Sequence, residues 1–382
     1  MSNRFTIDGS KALENHLACI CERVWSGAQT IIPATSVEAL VLGGGYGRGE
    51  GGVWKTEVGD RPYNDMEFYV FVRGNPLWNE RKYRRSLVKL GERLSPEAGL
   101  HVEFKVDSLR RLRRSPVSMF SYDLAAGHRV VSPNGAAFTP GAHHLEAGRI
   151  PLSEATRLLF NRCSGLLLAR ELLRQPLLTP TQADFVARNL AKAQLALGDA
   201  VLAAFGQYHW SCRERHRRLA HLAGAESLPW LDDVRKYHAA GVEFKLHPRP
   251  VARPSAVFAQ EHQELSALAL KIWLWLESRR LAYPFASARD YAFSGDEKCP
   301  GNSFWRNYLS NLRAFGFRSA LDSLAGRYPR ERLFNALALL LWNSESPAEP
   351  NVTLRLQKLL PNATSDRGGF VRAYEEVWPA YG

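Results

Sequence analysis

Two carboxylates, Asp65 and Glu67, stand two residues apart in "NDMEFYVFV", at the start of an apolar segment. In a β-strand such residues project from the same face. Paired carboxylates repel each other unless a cation lies between them. Their oxygens suit Mg²⁺ or Mn²⁺, and Mg²⁺ usually binds one or two carboxylates together with substrate phosphates. The pair therefore predicts a metal site; the alternative is an exposed turn with ordinary acids.

A glycine-rich loop, "GGGYGRGEGG", precedes the acidic segment and follows a short apolar run. Backbone N–H groups that carry no bulky side chains can approach a phosphate closely. The loop residues predicted to bind phosphate are Gly44, Gly45, Tyr46 and Gly47. A plain hairpin turn is the alternative for these glycines.

The same loop also satisfies G-x-G-x-x-G over "GRGEGG", with Glu67 following as a dinucleotide-binding motif would require. That motif needs a helix directly after the glycines. Here the chain continues as "VWKTEVGDRPYND", where Gly59 and Pro62 interrupt a stretch without helical periodicity. The kinase glycine loop is excluded because no H-R-D or D-F-G element follows.

Secondary-structure patterns place these motifs on an α+β fold. Apolar periodicity predicts helices at Lys11–Trp25 and Asn79–Leu94, and strands at Val37–Leu42, Met66–Val72 and Leu100–Leu109. A loop-rich boundary follows at Gly135, Pro140 and Gly141. Beyond it the pattern is almost wholly helical. We therefore predict a mixed-sheet domain with helices over residues 1–145 and an all-α domain over residues 146–382.

Composition narrows the classes of protein. The 382 residues are 45% hydrophobic and 23% charged, which is typical of a soluble globular protein. The N-terminus lacks a signal-peptide pattern, and the longest apolar run, Leu333–Trp342, is too short to span a membrane. Five scattered cysteines predict reduced thiols in a cytoplasmic protein. A net charge of +12 favours polyanionic partners.

The strand, the "GGYGRGE" loop and the following N-D-x-E strand resemble the nucleotidyltransferase superfamily that includes DNA polymerase β. The loop is most similar to that of the uridylyltransferases that modify the PII signalling protein. The resemblance covers Val37–Val72 well and Leu100–Ser132 loosely. Three departures are Glu67 in place of the usual Asp, an apparent insertion at "VWKTEVGDR", and the absence of recognisable regulatory domains. The last departure argues against PII as the substrate.

The resemblance implies that a nucleoside monophosphate moves from an NTP to an acceptor hydroxyl, with release of pyrophosphate. Asp65 and Glu67 would bind Mg²⁺ or Mn²⁺ together with a third carboxylate. The candidates for that acid are Glu103, which we favour, and Asp107. The alternative to a functional role is that the polar residues of "HVEFKVDSL" form a solvated strand face. Arg48 would orient the triphosphate or pair with Glu50. Lys192, in the helical part, would reach the triphosphate or lie on the surface.

The acceptor remains open among RNA (tRNA in particular), protein and small molecules. The charge favours RNA, and "NSFWRNYLSNLRAFGFRS" mixes aromatics with arginines as an RNA surface would, although most such aromatics lie in cores. Two other functions remain: an inactive nucleotide-binding sensor or scaffold, and a basic RNA-binding protein. The sequence leaves the nucleotide and the oligomeric state undetermined.

Overall fold

The computed structural model describes residues 4–132, 138–225, 227–249, 253–301, 303–343, 349–361 and 366–381. Gly135 of the predicted boundary and Asn302 of the aromatic stretch lie outside these ranges. The protein is of the mixed α+β class, 64% helical with a small mixed sheet. The predicted fold class is thereby confirmed at this level, and the nucleotidyltransferase layout stays a prediction.

The chain folds into two compact units. The first consists of Met1–Glu154, Phe205–Glu226 and Ala239–Pro250, and the second of Ala155–Ala204, Ser227–His238 and Val251–Gly382. Each unit therefore combines three separate segments of the chain.

The strands and helices are listed here in chain order. The strands are β1 Val37–Leu42, β2 Gly52–Thr56, β3 Gly59–Tyr63, β4 Met66–Val72, β5 Val102–Asp107 and β6 Arg129–Val130. The helices are α1 Lys11–Ile31, α2 Gly44–Gly47, α3 Pro76–Ala98, α4 Leu109–Arg114, α5 Met119–Ala126, α6 Leu152–Leu173, α7 Pro180–Ala204, α8 Cys212–Ala220, α9 Leu231–Leu246, α10 Ser255–Leu281, α11 Ala288–Phe293, α12 Phe304–Phe315, α13 Arg330–Trp342, α14 Pro350–Leu359 and α15 Arg367–Tyr381.

A four-stranded sheet in the order β5-β4-β1-β6 forms the centre of the first unit. Strand β1 pairs antiparallel with β4 and β6, whereas β4 and β5 run parallel. The predicted strands at β1 and β4 are confirmed residue for residue. Helix α3, capped at Asn75 and begun by Pro76, makes the crossover between β4 and β5.

Alternation along β4 gives the sheet two packed faces. Phe68, Val70 and Val72 belong to a core that includes buried residues of α1 and α3. Tyr69 and Phe71 belong to a second cluster with Leu109 of α4 and Leu124 of α5. Glu67 has the same parity as Tyr69, so its side chain belongs to the face that α4 and α5 cover.

The apparent insertion "VWKTEVGDR" is part of a β-hairpin rather than an irregular loop. Strands β2 and β3 pair antiparallel from Gly52–Tyr63 to Thr56–Gly59. The turn is closed by the Thr56 hydroxyl, which donates to the Gly59 carbonyl at 2.7 Å. Gly59 has φ +123°, a conformation that favours glycine. A strand therefore follows the glycine loop where a dinucleotide-binding motif requires a helix.

The described elements of the second unit are helices. Its central helix α13 is buried along most of its length. None of the described helices is long and apolar enough to cross a membrane. In the aromatic stretch Phe304, Trp305 and Phe317 are 56%, 70% and 71% exposed, whereas Phe315 is buried. All five cysteines are free thiols.

Candidate functional site

The glycine loop forms a single helical turn immediately after β1. The Gly43 N–H donates to the carbonyl oxygen of Glu67 at 2.9 Å, which ties the loop to β4. Gly44 has φ +60°, a conformation readily available to glycine. The first N–H groups of a helix have no partner within the helix, and in α2 these belong to Gly44, Gly45 and Tyr46. The turn thus presents backbone donors at the start of the loop.

Close backbone approach explains why the turn is built from glycine. A Cβ atom on Gly47 would lie 2.1 Å from the carbonyl oxygen of Leu42 at the end of β1. A Cβ on Gly45 would lie 3.0 Å from the carbonyl oxygen of Glu50. Gly47 is therefore required by the packing of the turn against its own strand, independently of any phosphate.

The start of α2 lies against the carboxylate of Glu67. A Cβ on Gly44 would lie 3.5 Å from Glu67 Oε1, an ordinary contact distance. The loop and the acidic strand, which are separated in sequence by the hairpin, therefore meet at this point.

Glu67 and Glu103 are register partners on the parallel strands β4 and β5. Lys105 lies between their carboxylates: its Nζ is 3.6 Å from Glu67 Oε2 and 3.5 Å from Glu103 Oε2. The three side chains are 34%, 42% and 46% exposed, in the order Glu67, Glu103, Lys105. The ammonium group thus supplies the positive charge that two neighbouring carboxylates require.

Tyr69 holds Glu67 in place from the same face of β4. Its hydroxyl donates to Glu67 Oε2 at 2.7 Å, and Lys105 Nζ lies 5.5 Å from the centre of its ring. Burial raises the pKa of Tyr69, and the negative charge of Glu67 raises it further, so the phenol stays protonated. Tyr69 is a residue that the sequence analysis missed, although its spacing of two from Glu67 already placed it on the same face.

Asp65 is exposed and immediately precedes β4. It follows Asn64, which adopts φ +75°, one of the few left-handed non-glycine residues among those described. Burial is the main cause of the raised pKa of Tyr46, and the charge of Asp65 raises it further. Asp65 is thus the most accessible of the predicted metal ligands.

Asp107, the alternative third acid, serves the start of α4. Its Oδ1 accepts the Ser108 N–H at 2.8 Å and lies 3.7 Å from Arg111 Nε. Burial raises its pKa above the ordinary aspartate value. Its register partner is Phe71, four residues along β4 from Glu67. Glu103, and not Asp107, is therefore the acid beside Glu67.

Tyr46 is buried beneath the loop. Its hydroxyl lies 2.9 Å from the Gly52 carbonyl oxygen and 2.8 Å from that of Tyr63, and it accepts the Tyr63 N–H at 2.8 Å. Burial raises the pKa of this phenol. The side chain joins the loop to the β2–β3 hairpin, so a phosphate contact of Tyr46 would have to use its backbone N–H.

Arg48 pairs with Asp123 rather than with Glu50. Its Nη1 lies 2.7 Å from Asp123 Oδ2 of α5, and the arginine side chain is only 8% exposed. The expectation that Arg48 pairs with Glu50 is wrong, because the chain turns Arg48 toward α5 after α2 ends. A role in orienting the triphosphate stays a prediction, and burial in this ion pair weakens it.

Glu50 instead connects the loop to α8. Its carboxylate accepts the Ser211 hydroxyl at 2.5 Å and the Cys212 N–H at 2.9 Å. Burial raises the pKa of Glu50, but these two donors and the charge of Arg48 more than offset it, so the net shift is downward. No local pattern predicted this contact, because the partners of Glu50 are 161 and 162 residues away in the chain.

We expect the contact of Glu50 with α8 to stabilise the first unit at pH values above the ordinary glutamate pKa, and this stabilisation to be lost in acid. A group with a depressed folded-state pKa contributes stability that disappears as the pH falls through that pKa, here below 4.5. Glu50→Gln should therefore reduce the acid dependence of the urea midpoint in that range. An unchanged acid slope would show that the Glu50 contact contributes no stability; exposed Glu92→Gln is the control.

Lys192 lies exposed on α7 of the second unit, between the buried residues Ala191 and Ala193. Its side chain is thus on the outer side of that helix, as the surface alternative expects. Its contact with a triphosphate stays a prediction.

Among the residues that the structure describes, no three His, Cys, Asp or Glu side chains converge closely enough to hold a metal ion on their own. No protein-family model, no curated protein and no solved structure matches the chain.

Proposed function

We propose that the protein is a metal-dependent nucleotidyltransferase, which moves a nucleoside monophosphate from an NTP to an acceptor hydroxyl and releases pyrophosphate. The observation that carries the proposal is the meeting of three parts at one place. The first turn of α2 lies against Glu67, and Glu103 is the register partner of Glu67 on the next strand. Backbone N–H groups that can bind phosphate are thereby adjacent to carboxylates that can bind a cation.

The donor chemistry of the site fits Mg²⁺. Asp65, Glu67 and Glu103 offer only oxygen ligands, and Mg²⁺ commonly binds one or two carboxylates and takes its remaining ligands from substrate phosphates and water. A protein cage of three ligands is therefore not required before the nucleotide arrives. When bound, the ion would stabilise the charge that develops on the pyrophosphate leaving group.

The chain's own residues would position the reactants. The N–H groups of Gly44 and Gly45 would donate to phosphate oxygens, as first-turn donors do at other helix starts. Tyr69 fixes the Glu67 carboxylate through the 2.7 Å hydrogen bond. Glu103, which is 42% exposed, would complete the ligand set or accept the proton of the acceptor hydroxyl.

Lys105 supports a second candidate, a nucleotide-binding sensor or scaffold without catalysis. Its ammonium group lies between Glu67 and Glu103, where the enzyme would need a divalent ion. In the enzyme Lys105 must move away, which its flexible four-carbon stem and exposure permit. In the sensor it stays and the nucleotide binds without metal.

The test is label transfer from each of the four α-phosphate-labelled NTPs, with Mg²⁺ or Mn²⁺, into a lysate separated into RNA, protein and small molecules. The wild type is compared with Asp65→Asn and with Glu92→Gln, an exposed acid on α3 that serves as the matched control. We expect label in one fraction with the wild type and the control, and loss of label with Asp65→Asn.

Nucleotide binding is measured in parallel by equilibrium dialysis, with metal and with EDTA. Binding without transfer, unaffected by EDTA, would favour the sensor over the enzyme. Neither binding nor transfer with any of the NTPs would overturn both functions and leave the loop a purely structural turn.

A further inference from the structure

A cleft with four arginines lies at the end of the sheet remote from the glycine loop. We call it the arginine cleft; it has a volume of about 710 Å³, and its lining includes Arg73, Arg110, Arg111 and Arg114. Glu38 is the only acid among its lining residues. Arg73 follows β4 and stands six residues from Glu67, so about 20 Å of strand separates the cleft from the candidate site.

Most of this positive charge is not neutralised. Arg73, Arg110 and Arg114 are exposed and form no ion pair with any residue that the structure describes. Arg111 lies 3.7 Å from Asp107, which is a loose contact. Guanidinium groups bind phosphate oxygens in a bidentate manner and are weakly hydrated, so a cluster of them favours phosphates over other anions.

The helix starts beside the cleft contribute little to anion binding, because their N–H groups already have acceptors. Asn75 Oδ1 accepts the Leu77 N–H at 2.9 Å and the Trp78 N–H at 3.4 Å. At α4, Glu38 accepts the Leu109 N–H at 3.1 Å. Recognition in the cleft therefore depends on the guanidinium groups.

An exposed tryptophan lies in the first turn of α3, the helix that begins at the cleft. Trp78 is 71% exposed in the first turn of α3, directly after the cleft residues Asn75 and Pro76. Trp78, Arg85 and Lys89 recur at spacings of seven and four on the face of α3 opposite to its buried residues. An exposed indole among cations is a platform on which an unpaired base can stack.

We infer that the arginine cleft and Trp78 bind a single-stranded polynucleotide, with the arginines on successive phosphates and a base stacked on Trp78. A duplex keeps its base faces stacked on each other, and an acidic peptide offers no base, so neither would use Trp78. RNA and DNA share this chemistry. The further step, that the bound strand is the acceptor, rests on the proposed function.

The test is fluorescence anisotropy with labelled single strands of mixed sequence, about 15 nucleotides long, as RNA and as DNA. Salt is varied, and EDTA is present without nucleotide, so that the result is independent of catalysis. Arg110→Gln with Arg114→Gln is compared with Arg174→Gln with Arg372→Gln, a pair of exposed arginines in the second unit. Both double variants lose the same charge, and circular dichroism checks their folding.

We expect the cleft variant to bind about tenfold more weakly and to lower the salt slope by about 1.4, which corresponds to two lost phosphate contacts on a single strand. Trp78→Ala should weaken binding at least about fivefold without changing the salt slope, and Trp78→Phe should restore most of the affinity. The polynucleotide that binds more tightly, RNA or DNA, is identified as the natural ligand of the cleft.

Equal losses in the cleft and control variants would overturn the inference, since they would show a general charge effect. So would tighter binding to the corresponding duplex, to polyglutamate or to anionic vesicles. An absence of single-strand binding at low salt would also overturn it. A failed transfer assay with intact strand binding would reject the proposed function alone.

Discussion

Glu67→Gln should lower nucleotidyl transfer by about 10³-fold, because loss of a metal ligand removes several kcal/mol of transition-state stabilisation. Glutamine keeps the shape of glutamate. In the wild type the Tyr69 hydroxyl donates to Glu67 at 2.7 Å, and the amide oxygen of glutamine can accept the same hydrogen bond. The side chain is 34% exposed, so the fold should tolerate the change. The measurement is the initial rate of label transfer at saturating metal.

Two controls isolate the metal role of Glu67. Glu92→Gln removes an exposed acid from the same unit and should leave the rate unchanged. Metal-free nucleotide binding by Glu67→Gln should also be unchanged, because the backbone donors of Gly44 and Gly45 remain. Full transfer activity in Glu67→Gln would show that Glu67 binds no essential metal.

Gly47→Ala should lower the free energy of unfolding by about 4 kcal/mol, near the upper end for a single substitution. The new Cβ would lie 2.1 Å from the Leu42 carbonyl oxygen and 2.7 Å from its carbon. Both atoms belong to the backbone of β1, so they cannot rotate away as a side chain would. The turn must then separate from its strand. The measurement is urea unfolding followed by circular dichroism.

Gly148→Ala is the matched control for this substitution. Gly148 belongs to the same unit, and a Cβ there would meet no atom within 4 Å. It should therefore unfold at the wild-type urea concentration. If Gly47→Ala did the same, the close contact between the loop and β1 would not exist in solution.

Local patterns predicted the strands of the site well. The apolar runs predicted at Val37–Leu42 and Met66–Val72 are β1 and β4 with the same bounds. Both strands lie in the middle of the sheet and are covered on both faces, so they read as continuous apolar runs. Strand β5 was predicted with wider bounds than Val102–Asp107. The hairpin β2–β3 was not predicted: Gly59 and Pro62 counted only against a helix there, although Pro62 is tolerated in a two-stranded ribbon.

The partners of the site residues were harder to predict. Lys105 stands between Glu103 and Asp107 in the sequence, but its ammonium group lies between the carboxylates of Glu103 and Glu67, on two strands. Arg48 pairs with Asp123, which is 75 residues away in sequence. Glu50 binds Ser211, which is 161 residues away. Such contacts depend on how distant segments return to the sheet, which residue periodicity does not encode.

The composition of the first unit has a consequence for its biosynthesis. Ser211 and Cys212, which bind Glu50 beneath the glycine loop, emerge from the ribosome long after the loop itself. Translation proceeds at about 5–20 residues per second, so Ser211 and Cys212 are synthesised roughly ten seconds or more after the loop. During that interval Glu50 lacks the two hydrogen-bond donors of α8. A nascent chain arrested near residue 154 should therefore be cleaved by protease within the loop, and one arrested well beyond residue 250 should not.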